Sequence, residues 1–420
     1  MNTSPIFLNG QSLPNGWQVI AVRWLSRRYS GGTPDKNISY YWTDGTIPWL
    51  NSGTVNQGVI REPSEFITEE GFANSSAKWM PRGSIVMALA GQGKTKAMVG
   101  YLDIETTGNQ SLAAIVPNKI DGKYLYWWLT SQYRHIRNLS SQDGRDGLNL
   151  EMVGSIRCPV PSPETQNRVA AFLDEKTAQI DALIAKKQAL LERLAEKRQA
   201  IITQAVTKGL NPAVPMKDSG IVWFGTIPQH WDVKRLNSFC DFQSGKAHEP
   251  FIEPDGQFVC VNARFISTDG IAEKRCTENL CPAGPGDILM VMSDLPNGRA
   301  LARTFLVDDR DNYAVNQRVC RIRPQRGNPA YFSYQLNRNP QLMRHDDGNE
   351  QTHLPNAAFK QLLLLVPPRA EQEQISAYIG EALAYHDRQR SLVEKSIHKL
   401  AEYRSALITA AVTGQIEGLQ

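Results

Sequence analysis

The sequence predicts an α+β fold in which two globular domains alternate with two long helices, the second half of the chain repeating the first. Two observations carry this. The segments "SPETQNRVAAFLDEKTAQIDALIAKKQALLERLAEKRQ" and "AEQEQISAYIGEALAYHDRQRSLVEKSIHKLAEYR" share a helical rhythm. They align without a gap, Gln166 on Gln372, Asp181 on Asp387 and Ala205-Val206-Thr207 on Ala411-Val412-Thr413, each pair 206 residues apart. The segments ahead of them also match: "LPNGW" at 13–17 recurs as "IPQHW" at 227–231 and Ser30-Gly31 as Ser244-Gly245, 214 residues apart. Self-similarity at a fixed long period marks a tandem duplication.

The elements follow in order. Residues 1–160 form the first globular domain and 161–210 the first helix; 211–365 form the second domain, 366–414 the second helix and 415–420 a short tail. Ser162 is placed to cap the first helix with Pro163 at its first position, and Gly209 with Asn211-Pro212 to stop it. Ile180, Leu183, Lys187, Leu190, Leu194, Lys197 and Ile201 recur at alternating steps of three and four and predict a packing seam, as do Val393, Ile397, Leu400, Leu407 and Ala411 in the second helix. A helix of this length reaches roughly 65 Å at about 1.5 Å per residue. Each seam is a surface for packing against another helix. In the globular domains, apolar stretches such as "SIVMAL", "LAAIV", "FVCV" and "DILMVM" between glycine and proline turns predict short strands. "KYLYWWLTSQY" and "AYFSYQLNRNP" predict the main short helices.

Composition excludes several classes of function. The 46 Lys and Arg against 42 Asp and Glu leave a net charge of +4, so any nucleic-acid contact must come from local arrangement. The six cysteines form no C-x-x-C pair and fit buried small apolar residues in a reducing cytosol. No apolar run approaches a bilayer span, and a cytoplasmic protein without a membrane partner is expected. H-E-x-x-H, G-x-S-x-G and the methyltransferase patterns F-x-G-x-G and [DN]-P-P-[FYW] are all absent from the sequence. The expectation is a chain with no catalytic residues, no metal and no cofactor of its own.

One stretch argues otherwise. "ALAGQGKT" at 88–95 resembles a nucleotide-binding loop, with Gly93, Lys94 and Thr95 as cradle, phosphate contact and magnesium ligand. Such a loop must run from a strand into a helix, whose N-terminus supplies part of the anion site. Here "AMVGYLDI" follows as a second strand candidate, so the pattern predicts a hairpin, and the second copy carries "LPNG" where Gln92 to Thr95 stand.

The lead-in "MKDSGIVWFGTIPQHWDVKRL", the helix end "ITQAVTKGL", "WLNSGTV" at 49–55 and "PETQNRVAAFLDEKTAQIDALI" resemble the DNA specificity subunits of type I restriction-modification systems, over the whole chain. The first domain lacks the full lead-in, and the second has "CVNAR" where the first has "WLNSG". The resemblance implies two target-recognition domains, each reading one half of a bipartite double-stranded DNA target, held apart by the two helices packed as an antiparallel coiled coil with a pseudo-two-fold axis. It implies two copies of a methyltransferase subunit and a translocating restriction subunit as partners, with S-adenosylmethionine and ATP bound by those partners. Phosphate contacts need cations at loop tips, and base readout needs paired donors or acceptors. Candidates in the first domain are Gln92, Lys94, Thr95 and Lys96, supported by Ser30, Thr33 and Asn51; Lys94 leads. In the second they are Asn297, Arg299 and Arg303, with Lys246, Asn262 and Arg264. The rival readings are a protein-binding scaffold and the nucleotide-binding protein of the Gly-Lys-Thr pattern.

Overall fold

A computed structural model describes residues 6–7, 11–91, 93–139, 147–294, 300–346 and 352–419. The chain divides into two compact units, residues 1–188 with 394–420, and residues 189–393. The long helices run over Pro163–Lys208 and Arg369–Val412, and each gives its N-terminal part to one unit and its C-terminal part to the other. Ser162 caps the first, its hydroxyl accepting from the Thr165 amide at 3.2 Å, and Gly209 ends it at φ +75°.

In the first unit the main sheet orders its strands Ser26–Ser30, Leu112–Pro117, Ile85–Ala88, Val99–Leu102 and Val59–Ile60. Ile85–Ala88 is buried on both faces, which explains why "SIVMAL" reads as a continuous apolar run. Ile85 and Met87 pack beneath the helix Gly122–Ser131, while Val86 and Ala88 pack toward Leu50, Val55 and Ile60. A small second sheet joins Ile47–Leu50 to Thr107–Gly108 and Glu65–Ile67, and a ribbon pairs Gln18–Ala21 with Arg157–Val160.

The second unit repeats the plan with Cys240–Ser244, Val319–Pro324, Ile288–Val291 and Thr304–Leu306 in its main sheet. Helix Pro329–Leu336 covers it, and Asp232–Arg235 pairs with Leu363–Val366.

The frame repeats atom for atom. Gln166 is buried; its amide oxygen accepts from the Asp121 backbone at 2.8 Å and its amide nitrogen donates to the Pro161 carbonyl at 2.9 Å. Gln372 does the same with the Asn328 amide at 2.8 Å and the Pro367 carbonyl at 2.7 Å. The Tyr124 hydroxyl lies 2.9 Å from the Pro159 carbonyl and 3.2 Å from that of Val412; the Tyr331 hydroxyl lies 3.3 Å from both the Leu365 and Val206 carbonyls. Burial pushes both phenols well above their ordinary pKa. In each unit, then, the tyrosine joins the globular part to the end of a long helix that began in the other.

Within each unit the helix segments run antiparallel. In the first, Arg168 reaches the Gly418 carbonyl at 3.5 Å and Arg404 holds Asp181 through two hydrogen bonds of 2.8 and 3.1 Å. In the second, Arg198 approaches Asp387 at 4.0 Å, the same pair displaced by 206 residues. The expected seam is corrected in one respect. Leu183 and Leu190 are 43% and 44% exposed and Lys197 is exposed, whereas Ile184, Lys187, Leu191, Leu194 and Arg198 are the partly buried set. The shielded set keeps alternating steps of three and four but moves one position on at Ile184, Leu191 and Arg198, so the period is as expected and the phase is set by the partner helix. The seam of the second helix, Val393, Ile397, Leu400, Leu407 and Ala411, lies on the shielded side as expected.

Replacing Gln166 by Leu leaves an amide and a carbonyl unpaired in the interior, and should lower stability by about 1–3 kcal/mol in a urea unfolding measurement. Gln372→Leu should do the same through the second unit.

Candidate nucleic-acid interface

The Gly-Lys-Thr stretch lies in a hairpin. Ile85–Ala88 and Val99–Leu102 pair antiparallel, and the turn closes through Ala97 N–H to the Ala88 carbonyl at 2.9 Å. No helix follows Thr95, so the nucleotide-binding alternative loses the helix N-terminus it requires. The turn is held from the side instead. Arg137 donates to the carbonyls of Gly93 at 2.6 Å and Lys96 at 3.1 Å, and the Tyr133 hydroxyl donates to that of Lys94 at 2.7 Å. Both clamp residues come from the helix Tyr133–Leu139. With its carbonyls engaged, the turn keeps the Lys94 side chain exposed and Thr95 half-buried.

Lys94 lines a cavity of about 440 Å³ together with Asn56, Gln57, Tyr126, Asp181 and Arg404. Burial raises the Tyr126 phenol pKa, and the Arg404 cation works against that shift. Lys96 departs from expectation: it is buried, at 8% exposure, because its residue closes the hairpin against Arg137, so it is not a surface cation.

Other candidates prove to hold the fold. Asn51 caps the short helix Ser52–Gln57, accepting from Gly53 N–H at 2.8 Å, and Asn262 caps Ala263–Ser267, accepting from Phe265 N–H at 2.9 Å. Thr33 bonds Gln110 at 2.5 Å. Ser30 ends the strand Ser26–Ser30 beside Gly31, where a Cβ would sit 1.9 Å from the Gly108 carbonyl oxygen; at Gly245 it would meet the Asn316 carbonyl oxygen at 2.1 Å. The repeated Ser-Gly therefore marks two backbones crossing, a place only glycine fits.

In the second unit Lys246 and Arg264 are exposed, while Arg303 is half-buried and donates to the Ser267 carbonyl at 3.0 Å. Gln92, Asn297 and Arg299 lie outside the described residues. In the second unit Asp294 accepts from the Ala300 amide at 2.6 Å, and Ser293–Asp294 pairs with Thr352–His353. The structure thus gathers Lys94 and Thr95 on one turn, and sets Arg264 on the short helix whose end Arg303 binds. Tyr133 and Arg137 escaped the sequence reading because nothing in their spacing announces a contact made 39 to 44 residues away.

The six cysteines are buried and free, and burial raises the Cys158 thiol well above its ordinary range. Among the described residues no His, Cys, Asp or Glu cluster is arranged to hold a metal ion, and no helix is long and apolar enough to cross a membrane.

A family model, the type I restriction modification DNA specificity domain, matches residues 14–193 and 228–400. The chain belongs to this family. The EcoR124I/EcoR124II specificity subunit of Escherichia coli is 28% identical over 38% of this chain, and the match spans only 40% of that relative's length. The StySPI specificity subunit of Salmonella potsdam is 23% identical over 97% of this chain and 91% of its own. The fold is shared, at 15% identity and a TM-score of 0.76 over 97% of this chain and 100% of the other, with a chain solved for the "structural basis underlying complex assembly and conformational transition of the type I R-M system".

Arg137→Leu removes a charged donor from two carbonyls of the turn. A charge-assisted hydrogen bond is worth about 1.5–3 kcal/mol, so amide hydrogen exchange at residues 93–98 should accelerate by roughly tenfold or more. Tyr133→Phe should produce a smaller change in the same amides.

Proposed function

We propose that this specificity-family chain is a non-catalytic reader of a bipartite DNA target, one half read by the globular part of each unit, and that its long helices set the spacing and dock two methyltransferase subunits. The observation that carries the reading is the contrast between frame and turns. Gln166 and Gln372, Tyr124 and Tyr331, and Asp181 and Asp387 repeat their partners, whereas the turn sequences that follow the equivalent strands diverge, "GQGKT" in one copy and "LPNG" in the other. A repeated frame with unlike turns is what two readers of different half-sites require. The restriction subunit joins the same assembly, and S-adenosylmethionine and ATP belong to the partner subunits.

Base edges in the major groove carry distinct donor and acceptor patterns, and cations on phosphates fix register. Lys94 and Thr95 supply a cation and a hydroxyl on the first turn, and Lys246 and Arg264 supply exposed cations in the second unit. Half-site separation then follows from the geometry of the rods rather than from any base contact.

Adenine methylation mapped by sequencing, on DNA exposed to this chain with its methyltransferase subunit, tests the reading. A split motif is expected. Lys94→Ala should relax one half only if the lysine meets a base edge; if it meets phosphate, the variant should lower the salt slope of DNA binding by about one and leave the motif intact. Arg264→Ala should act on the other half. Methylation indifferent to the chain, or a motif and affinity unmoved by either substitution, would favour a protein-binding scaffold.

A further inference from the structure

The first unit carries a positive face that neither the frame nor the main hairpin turns use. Trp24, in the short helix Val22–Leu25, is 69% exposed, and Arg23 and Arg27 flank it, both exposed. Two more exposed cations stand beside them. Arg157 is paired with Ala21 across the ribbon, and the Lys119 amide bonds the Leu25 carbonyl at 3.3 Å. None of these four cations has an acidic partner among the described residues; Glu151, exposed on the neighbouring helix Leu150–Ser155, makes no ion pair with them.

Beneath them Arg28 is half-buried. Its Nη1 donates to the Val22 and Ser26 carbonyls at 3.4 and 3.1 Å, and its Nε is buried without a partner. Burial first and the Arg23 cation second lower its pKa from the ordinary value. Positive charge is crowded here with no anion to relieve it.

A structural duty would recur in the second copy, and this one does not. At an offset of 214 residues Arg23, Trp24 and Arg27 become Asn237, Ser238 and Asp241. The face is also remote from the Gly-Lys-Thr turn. Along the strand Ser26–Ser30, Arg27 pairs with Val116, while Ser30 pairs with Ala113 at the end where Leu112 meets Ala88 and the turn begins.

We propose that Arg23, Trp24, Arg27, Lys119 and Arg157 form a second, sequence-independent nucleic-acid contact, the cations on phosphates and the indole stacked on an unpaired base. A protein interface is built around an apolar centre with a polar rim. Here a single ring stands among cations, the pairing of aromatic platform and basic groove that binds single strands.

The full chain with its methyltransferase subunit is titrated with fluorescein-labelled oligothymidine and with a labelled duplex lacking the methylation motif, over a series of salt concentrations. Arg23→Gln/Arg27→Gln should lower the salt slope by roughly 1.4 for the strand and 1.8 for the duplex. Trp24→Ala should weaken oligothymidine binding by roughly tenfold, with little effect on the duplex. The methylation motif should stay unchanged in both, since the face reads no sequence, so this result stands apart from the test of half-site reading. Unaltered binding of both probes would overturn the proposal. So would a defect confined to assembly with the methyltransferase subunit, which would assign the face to a protein partner.

Discussion

Each unit depends on a buried glutamine that ties three parts of the chain together. Gln166 binds the amide of Asp121, the residue that caps the helix Gly122–Ser131, and the carbonyl of Pro161, just ahead of the long helix. Gln372 repeats the arrangement on Asn328 and Pro367. Both glutamines are buried, so both ends of the side chain must be paired. That requirement fixes the covering helix, the last strand and the start of the long helix with respect to one another. The tyrosine one turn into the covering helix then closes the unit by reaching the final turn of the other long helix.

A frame fixed in this way leaves the turns free to differ. Strands Ile85–Ala88 and Ile288–Val291 are buried on both faces and tolerate little, whereas Gly93 and Lys94 at the tip of the first turn are exposed. In the first copy a helix supplies an arginine and a tyrosine that hold the turn by its carbonyls. That clamp binds backbone rather than side chains, which leaves side-chain identity at the turn free to vary. Buried tyrosines and glutamines carry the architecture; in the proposed reading, exposed cations such as Lys94 carry the partner chemistry.

Much of this was legible in the sequence because duplication is legible. Two gap-free helices, the repeated Ser-Gly and the paired apolar runs predict the fold class, and the strand character of "AMVGYLDI" predicts the hairpin that removes the nucleotide-binding reading. Matching residues locate what both copies need, and a shared structural duty is enough to produce a match. Asn51 and Asn262 are polar, stand near glycine-rich or basic residues and correspond between copies, yet they correspond because each caps a short helix. Lys96 reads as one more loop cation, and only the closing of the turn buries it. The clamp by Tyr133 and Arg137 and the Trp24 face depend on contacts across the sheet that no local period reports. The coiled-coil seam sits between these cases: its period was visible, but its phase is set by the partner helix.

The central claim is that each globular part reads by itself on a frame the two copies share. The most direct measurement is the methylation motif of a chain in which residues 232–366, from the start of the strand Asp232–Arg235 to the end of Leu363–Val366, are replaced by a second copy of residues 18–160. With two identical readers on duplicated helices, the motif should become an interrupted palindrome made of one original half-site and its reverse complement. Retention of the original asymmetric motif, or methylation at a site without that symmetry, would contradict the account.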